Sequence, residues 1–347
     1  MAPIVKRLFV MVRDKLGESV FAFASLQEFA RRNPDTRIVL LARDPYTMLY
    51  PTAPNVRVVR YRSSAQAYLY CLGLRLLARR FDALVLLKGY GPKTEQLCRL
   101  VPARRKISSN SLIAVAGMEY TAGPGSDRQH YYPAYLALKM LDPGLEFPRQ
   151  LAFPPLAQKR AAREPDCVVV CPVSEEERRC FTPAALRQVL ALAAREYPGH
   201  RVLVTVRNEA ELALLQGADT SGAEVFLFDT LDALIERFAA SAHYFGTDTG
   251  LLHIALAMGM PATVFFGQSN PDDAVLPTQP SVRKIRLAAL GTSVCPMEQC
   301  LRGDCIELAV RNATGQPAAL PIQDFCPLAG IPAERLGENT DVDQPTS

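Results

Sequence analysis

Tryptophan is absent from this sequence and histidine occurs only four times. No apolar run approaches the ~18–20 residues that a bilayer span needs, so a helical membrane protein is not expected. The first residues, MAPIVKRLFVMVRDKLGE, meet charge almost at once and lack the apolar core of a secretory signal. A cytoplasmic protein is expected, at most peripheral on the inner membrane. Short Cys-x2-Cys knuckles, internal repeats and low-complexity tracts are also missing. No basic motif is interleaved with aromatics, which argues against a nucleic-acid partner.

What is present is a chain of 347 residues, 49% hydrophobic, long enough for two domains with cores of their own. Its net charge of +4 hides an asymmetry. Residues 1–160 hold 25 Lys and Arg against 11 Asp and Glu, whereas residues 161–347 hold 14 against 24. A basic half attracts phosphate-rich molecules and anionic membrane surfaces. Of nine cysteines, Cys71, Cys98, Cys167, Cys171 and Cys180 are scattered, mostly in apolar runs, and read as small core residues. Cys295, Cys300, Cys305 and Cys326 cluster near the end.

The first half alternates short apolar runs with helical patterns. LFVMV (8–12), RIVLLA (37–42), VRVVRY (56–61) and ALVLLK (83–88) read as strands. Residues 65–80 read as a helix with Leu69, Leu72, Leu76 and Leu77 on one side. The stretch 110–165 breaks this rhythm with Gly, Pro and Tyr and closes on an expected extended linker near PRQLAFPPLAQKR. The pattern then restarts with CVVVC (167–171), a helix from Pro183 to Glu196, RVLVTV (201–206), a helix near 208–216, and EVFLF (224–228). Thr230 is an expected N-cap for a helix to Ala240. Strands alternating with helices predict parallel sheets covered on both faces. Ligands favour the carboxyl ends of such strands and the cleft between two units.

The segment GTDTGLLHIALAMGMPATVFFG (246–267) carries the chemistry. A strand ends at Gly246, and Thr247, Asp248 and Thr249 lead into a helix opened by Gly250 and closed by Gly259 and Pro261. A helix start offers unpaired N–H groups and the positive end of the dipole, so it suits a phosphate. His253 lies one turn in and leans back toward that start. The same residues also suit a plain capped helix with a core histidine.

These residues resemble the donor-site signature of glycosyltransferase family 9, the ADP-heptose:lipopolysaccharide heptosyltransferases and their relatives. Asp248, Thr249, Gly250, His253, Ala255, Ala257, Gly259, Pro261, Phe266 and Gly267 match it. The start, RLFVMVRDKLGES, is similar to the family's first strand and Gly-Asp turn, with Glu18 where the family has its proposed catalytic Asp. Asp14 is a second carboxylate close by. After CVVVCP the family's Lys-Arg-Trp-Pro is replaced by VSEEERRCFTP. There Phe181 stands for the aromatic, Pro183 for the proline, and Arg178 or Arg179 for the lysine. Three acids, Glu175 to Glu177, are unexpected beside an anionic donor.

The resemblance implies an α/β protein of GT-B architecture, two Rossmann-like domains with a cleft between them. An acceptor domain over 1–160, a nucleotide-sugar domain over 161–336 and a disordered tail over 337–347 are expected. It implies inverting transfer of a sugar, heptose from ADP-heptose, onto a lipopolysaccharide core acceptor, with no catalytic metal. Glu18 or Asp14 would be the base. Thr247, Asp248, Thr249, Gly250, His253 and Arg178 or Arg179 would hold the donor. Arg13 and Lys15 would contact an anionic glycolipid acceptor. Cys295, Cys300, Cys305 and Cys326 could bind structural Zn or Fe, as in the iron-binding autotransporter heptosyltransferases, or remain thiols. A protein acceptor is the alternative that the cysteines favour. A non-catalytic nucleotide-sugar-binding scaffold is the alternative of another class.

Overall fold

The structure is a computed structural model. It describes residues 5–13, 16–44, 49–89, 91–109, 113–121, 133–146, 151, 153–176, 179–267, 271, 275, 281–286 and 304–315. Of Glu18 it describes the backbone alone.

Two parallel six-stranded sheets are built in succession. The first contains β1 (Arg7–Val12), β2 (Arg37–Arg43), β3 (Val56–Tyr61), β4 (Phe81–Lys88), β5 (Ala103–Ser108) and β6 (Met118–Tyr120), in the order β3-β2-β1-β4-β5-β6. The second contains β7 (Cys167–Cys171), β8 (Arg201–Val206), β9 (Glu224–Leu227), β10 (Ser241–Thr247), β11 (Ala262–Phe266) and β12 (Val282–Arg286), in the order β12-β11-β10-β7-β8-β9. Counted from the first strand of each half, the order is the same: third, second, first, fourth, fifth, sixth. Each sheet reverses direction between its first and fourth strands, and ligands bind beyond the carboxyl ends at such a point.

Burial explains why these strands form. β7 and β11 are buried along their whole length, as strands covered by helices on both faces must be. In the first half, α1 (Leu16–Arg32) follows β1, α2 (Ser64–Leu76) follows β3 and α3 (Pro92–Leu100) follows β4. α4 (Pro133–Lys139) packs on α1 and β4. The second half adds α6 (Pro183–Glu196), α7 (Glu209–Ala213), α8 (Leu231–Ala239), α9 (Gly250–Ala257) and α10 (Asp304–Thr314). No helix among the described residues is long and apolar enough to cross a membrane.

One expectation is corrected, and the direction of a second element is settled. The segment expected to be an extended linker contains the helix α5 (Pro154–Ala161), with two prolines in its first turn, where the missing N–H groups cost nothing. It packs on α8 and α9, and the Phe153 N–H donates to the Ala257 carbonyl at 3.0 Å. The leucine side of α2 is not its core side. Ala67, Cys71 and Leu74 are buried, while Leu69, Leu76 and Leu77 face solvent.

One apolar cluster runs through both halves. It holds Val10, Val20 and Phe23 from β1 and α1, Leu151, Phe153 and Leu156 from the connection, and Val169, Leu252 and Ile254 from the second half.

Candidate functional site

The site lies where α1 meets α9. Both helices start beside the point at which their sheet reverses, and their first turns touch. A Cβ added to Gly17 would come 2.4 Å from His253 Cδ2 and 3.1 Å from Gly250 Cα. One added to Gly250 would come 3.2 Å from the Gly17 nitrogen and 3.3 Å from Leu16 Cβ. Only two glycines allow the two helix starts to come so close. The Phe21 ring, one turn further along α1, lies 4.5 Å from the His253 ring. Glu18 is therefore the third residue of a helix that abuts the Gly250 turn.

The second-half side of the site is a braced loop. Arg179 Nη1 lies 3.2 Å from Asp248 Oδ2 and also donates to the Asp248 carbonyl at 3.3 Å. Its Nε lies 3.3 Å from Glu176 Oε2. Asp248 Oδ1 is in turn 3.9 Å from His253 Nε2. The acids that looked out of place beside an anion are thus partly neutralised, with Glu176 on Arg179 and Glu175 facing Arg207 at 3.8 Å. Phe181 is a core residue, edge-on to Phe265 at 5.6 Å, and Pro183 opens α6 behind the N-cap Thr182.

Thr249 is the N-cap of α9, but its side chain does not cap the helix. Its hydroxyl lies 3.4 Å from that of the fully buried Tyr244. The Thr249 side chain thus leaves the N–H groups at the start of α9 uncapped, as an anion site requires. By contrast α6, α7 and α8 are each sealed by a side chain, from Thr182, Asn208 and Thr230. Thr247 Oγ1 is buried without a hydrogen-bond partner among the described residues.

Sequence reasoning missed the floor of this loop. The Tyr244 side chain folds under the strand end, so that a Cβ at Gly246 would meet its oxygen at 2.5 Å. Its hydroxyl donates to the Thr247 carbonyl at 3.4 Å. Burial raises the Tyr244 phenol well above its ordinary range, and it stays a neutral donor. Beneath it, Thr205 Oγ1 donates to Cys171 Sγ at 3.0 Å, and burial pushes the Cys171 thiol up to about 12. That thiol is no nucleophile. The only signal in the sequence was a tyrosine two residues before a glycine in an apolar strand.

On the first-half side, Arg13 leaves the end of β1 toward α2. Its Nη2 donates to Ser64 Oγ at 3.3 Å and its guanidinium lies 5.7 Å from the Tyr61 ring centre. Its Nη1 is buried without a hydrogen-bond partner among the described residues. Asp14, Lys15, Glu177 and Arg178 lie outside the described residues, as do Cys295, Cys300, Cys326 and the tail beyond 315. Cys305 sits on α10, half-buried. Among the described residues no group of three or more His, Cys, Asp or Glu could hold a metal ion.

Residues 140–305 match the model of glycosyltransferase family 9 (heptosyltransferase), a stretch that contains the whole Asp248–Gly267 loop and helix. Over that stretch the chain is similar to the family 9 glycosyltransferases. Solved structures agree on the fold. ADP-heptose lipopolysaccharide heptosyltransferase II of E. coli is 16% identical over 89% of this chain and 98% of its own, with a TM-score of 0.61. E. coli heptosyltransferase WaaC with ADP is 15% identical over 80% of this chain and 93% of its own, with a TM-score of 0.62. The iron-containing dodecameric glycosyltransferase TibC of enterotoxigenic E. coli is 16% identical over 90% of this chain and 77% of its own, with a TM-score of 0.52. No curated protein matches the chain. As in its structural neighbours, the chain has the GT-B fold, with the loop that matches the family at the C-terminal end of β10.

Proposed function

We propose that this chain is a family 9 glycosyltransferase that moves heptose from ADP-heptose to an anionic glycolipid, a lipopolysaccharide core, at the inner membrane surface. One observation carries the reading: the uncapped start of α9 abuts the start of α1, the helix that bears Glu18. In this reading the acceptor binds the first domain (1–160) and the nucleotide sugar the second (161–336). The open N–H groups of α9, with Thr247, Thr249 and Gly250, hold the donor diphosphate. Arg179 and Asp248 fix the shape of that loop, and His253 lines it. The identity of the donor draws support from two solved relatives, one of WaaC with ADP-2-deoxy-2-fluoro heptose and one of TibC with ADP-D-beta-D-heptose.

The chemistry is a single displacement with inversion. The Glu18 carboxylate, or that of Asp14, takes the proton of an acceptor hydroxyl. The oxygen bonds to the anomeric carbon as the bond from that carbon to the diphosphate oxygen breaks. The nucleoside diphosphate leaves with both electrons, and the positive end of α9, with Arg178, the sequence neighbour of the loop-bracing Arg179, offsets its charge. Arg13 and Lys15 provide cations for the acceptor. The displacement calls on no metal.

The test combines donor binding with turnover. ADP-heptose is expected to raise the melting temperature, since a ligand of the native state stabilises it by mass action. Glu18→Ala is expected to keep that shift and to lose about 10²–10⁴-fold in transfer. No shift with any diphospho-sugar sinks the donor site. A shift without transfer by the wild-type chain leaves the scaffold reading standing. Iron in the purified protein, together with transfer to a protein serine, would favour the reading in which the cysteine segment binds metal and the acceptor is an adhesin.

A further inference from the structure

The helix α2 has two apolar faces, and the fold uses only one. Ala67, Cys71 and Leu74 point into the first domain. On the opposite side, at intervals of four, three and four residues, stand Ala65, Leu69, Leu72 and Leu76, one stripe along three turns. Leu69 is 66% exposed, Leu76 76% and Leu77 67%, with Tyr68 beside them at 42%. Single exposed leucines are ordinary, but three on one short helix form a patch that calls for a partner.

The charge around this stripe has one sign. From residue 45 to residue 81 the sequence contains six arginines and no Asp or Glu. Arg57, Arg60, Arg62, Arg75, Arg79 and Arg80 are all exposed. Among the described residues only Arg62 has an ion-pair partner, Asp44 at 2.9 Å. Arg57 and Arg79 both act electrostatically on Tyr70, which places them along α2. Ala78 ends the helix at a φ of 49°, and the Arg79 N–H returns to the Leu74 carbonyl at 3.0 Å. This left-handed turn, unusual for a residue with a Cβ, sets Arg79 and Arg80 at the end of the leucine stripe.

We infer that the outward face of α2 docks on an anionic lipid bilayer, with the leucines entering the acyl boundary and the arginines at the headgroups. A helix lying in the interface has this build: one apolar face, flanking arginines and no acid. A protein partner would be met by the leucines alone, whereas six exposed arginines, of which only Arg62 has an ion-pair partner among the described residues, select a surface of dispersed negative charge. The inference stands on α2 and adds to the acceptor reading above. The Arg13–Ser64 contact puts the start of the same helix at the first domain's side of the candidate site.

Co-sedimentation of the full chain with vesicles tests it. Wild type is expected to bind vesicles of phosphatidylglycerol and phosphatidylethanolamine, to release from them in high salt, and to leave pure phosphatidylcholine alone. Leu69→Gln/Leu76→Gln is expected to lower the bound fraction about ten-fold or more, as is Arg79→Glu/Arg80→Glu. Both pairs are exposed, so the melting temperature and any nucleotide-sugar shift should remain as in wild type. Absence of wild-type binding to anionic vesicles overturns the inference. So does undiminished binding by both variants, or a solution dimer that the leucine variant splits while vesicle binding is absent. A missing nucleotide-sugar shift with intact vesicle binding would instead count against the donor site alone.

Discussion

The two halves of the molecule repeat one strand order and leave the same helix start open. In the second half, the helices after its first three strands are sealed by Thr182, Asn208 and Thr230, and the helix after the fourth, α9, is not. In the first half, α2 after the third strand is sealed by Ser63, and α3 after the fourth starts at Gly91 with no side-chain cap. The open starts lie where each sheet reverses, but they are furnished differently. α9 has a carboxylate loop braced by Arg179 and a tyrosine floor. α3 has the half-buried Arg13 side chain close by, its Cβ 3.1 Å from where a Cβ on Gly89 would stand. On the function proposed above, one plan would serve as an anion pocket in the second half and a cationic shelf in the first.

The halves differ most in acid. His243 is buried in the second sheet, its Nδ1 2.6 Å from the Tyr197 hydroxyl and its Nε2 2.9 Å from Thr263 Oγ1. Burial lowers it to about 4 from 6.5. The folded form therefore takes up its proton at lower pH than the unfolded chain. Its contribution is intact above pH ~6.5 and is lost as pH falls toward ~4, to about 3 kcal/mol. Melting temperature against pH should show this slope, and His243→Gln should flatten it. An unchanged slope would move the acid sensitivity elsewhere.

The contact between the halves comes next. Gly17→Ala places a methyl on His253 and on the Gly250 backbone. It is expected to cost about 100-fold in kcat/KM, because small misplacements of reacting groups are that costly. The loss should fall mainly on kcat, with the donor shift retained. Full activity in this variant would mean that the two helix starts need not touch. Arg13→Ala then separates the two open ends: about a ten-fold rise in acceptor KM is expected, with donor KM unchanged. A rise in donor KM instead would erase the assigned difference between shelf and pocket. The smallest effect is Ala78→Gly, which relieves a left-handed residue and should stabilise by about 0.5–1 kcal/mol in chemical denaturation.

Much of this was legible in the sequence because burial on both faces forces continuous apolar runs. LFVMV, RIVLLA, ALVLLK, CVVVC, RVLVTV and ATVFF are all strands. β5 and β12, ARRKIS and VRKIR, escaped because their exposed positions carry charge and break the run. The α2 stripe was legible but not its direction, since a helix with two apolar faces gives no sign of which one is inward. Gly17 and Gly250 could each be read as a turn glycine, but their contact joins distant parts of the chain and has no local pattern. The Tyr244 hydroxyl was hidden in the same way, since a strand pattern reports the face of a side chain and not what its tip touches.

The apolar cluster that passes from β1 through Phe153 to Leu252 has a consequence for how the protein comes apart. Removing either sheet would strip the cover from the other half's α1 or α9 layer and expose it to water. Heating should therefore produce one calorimetric transition rather than two. Separately expressed halves should be sticky and poorly folded, and proteases should cut within the two sheets only once both have opened.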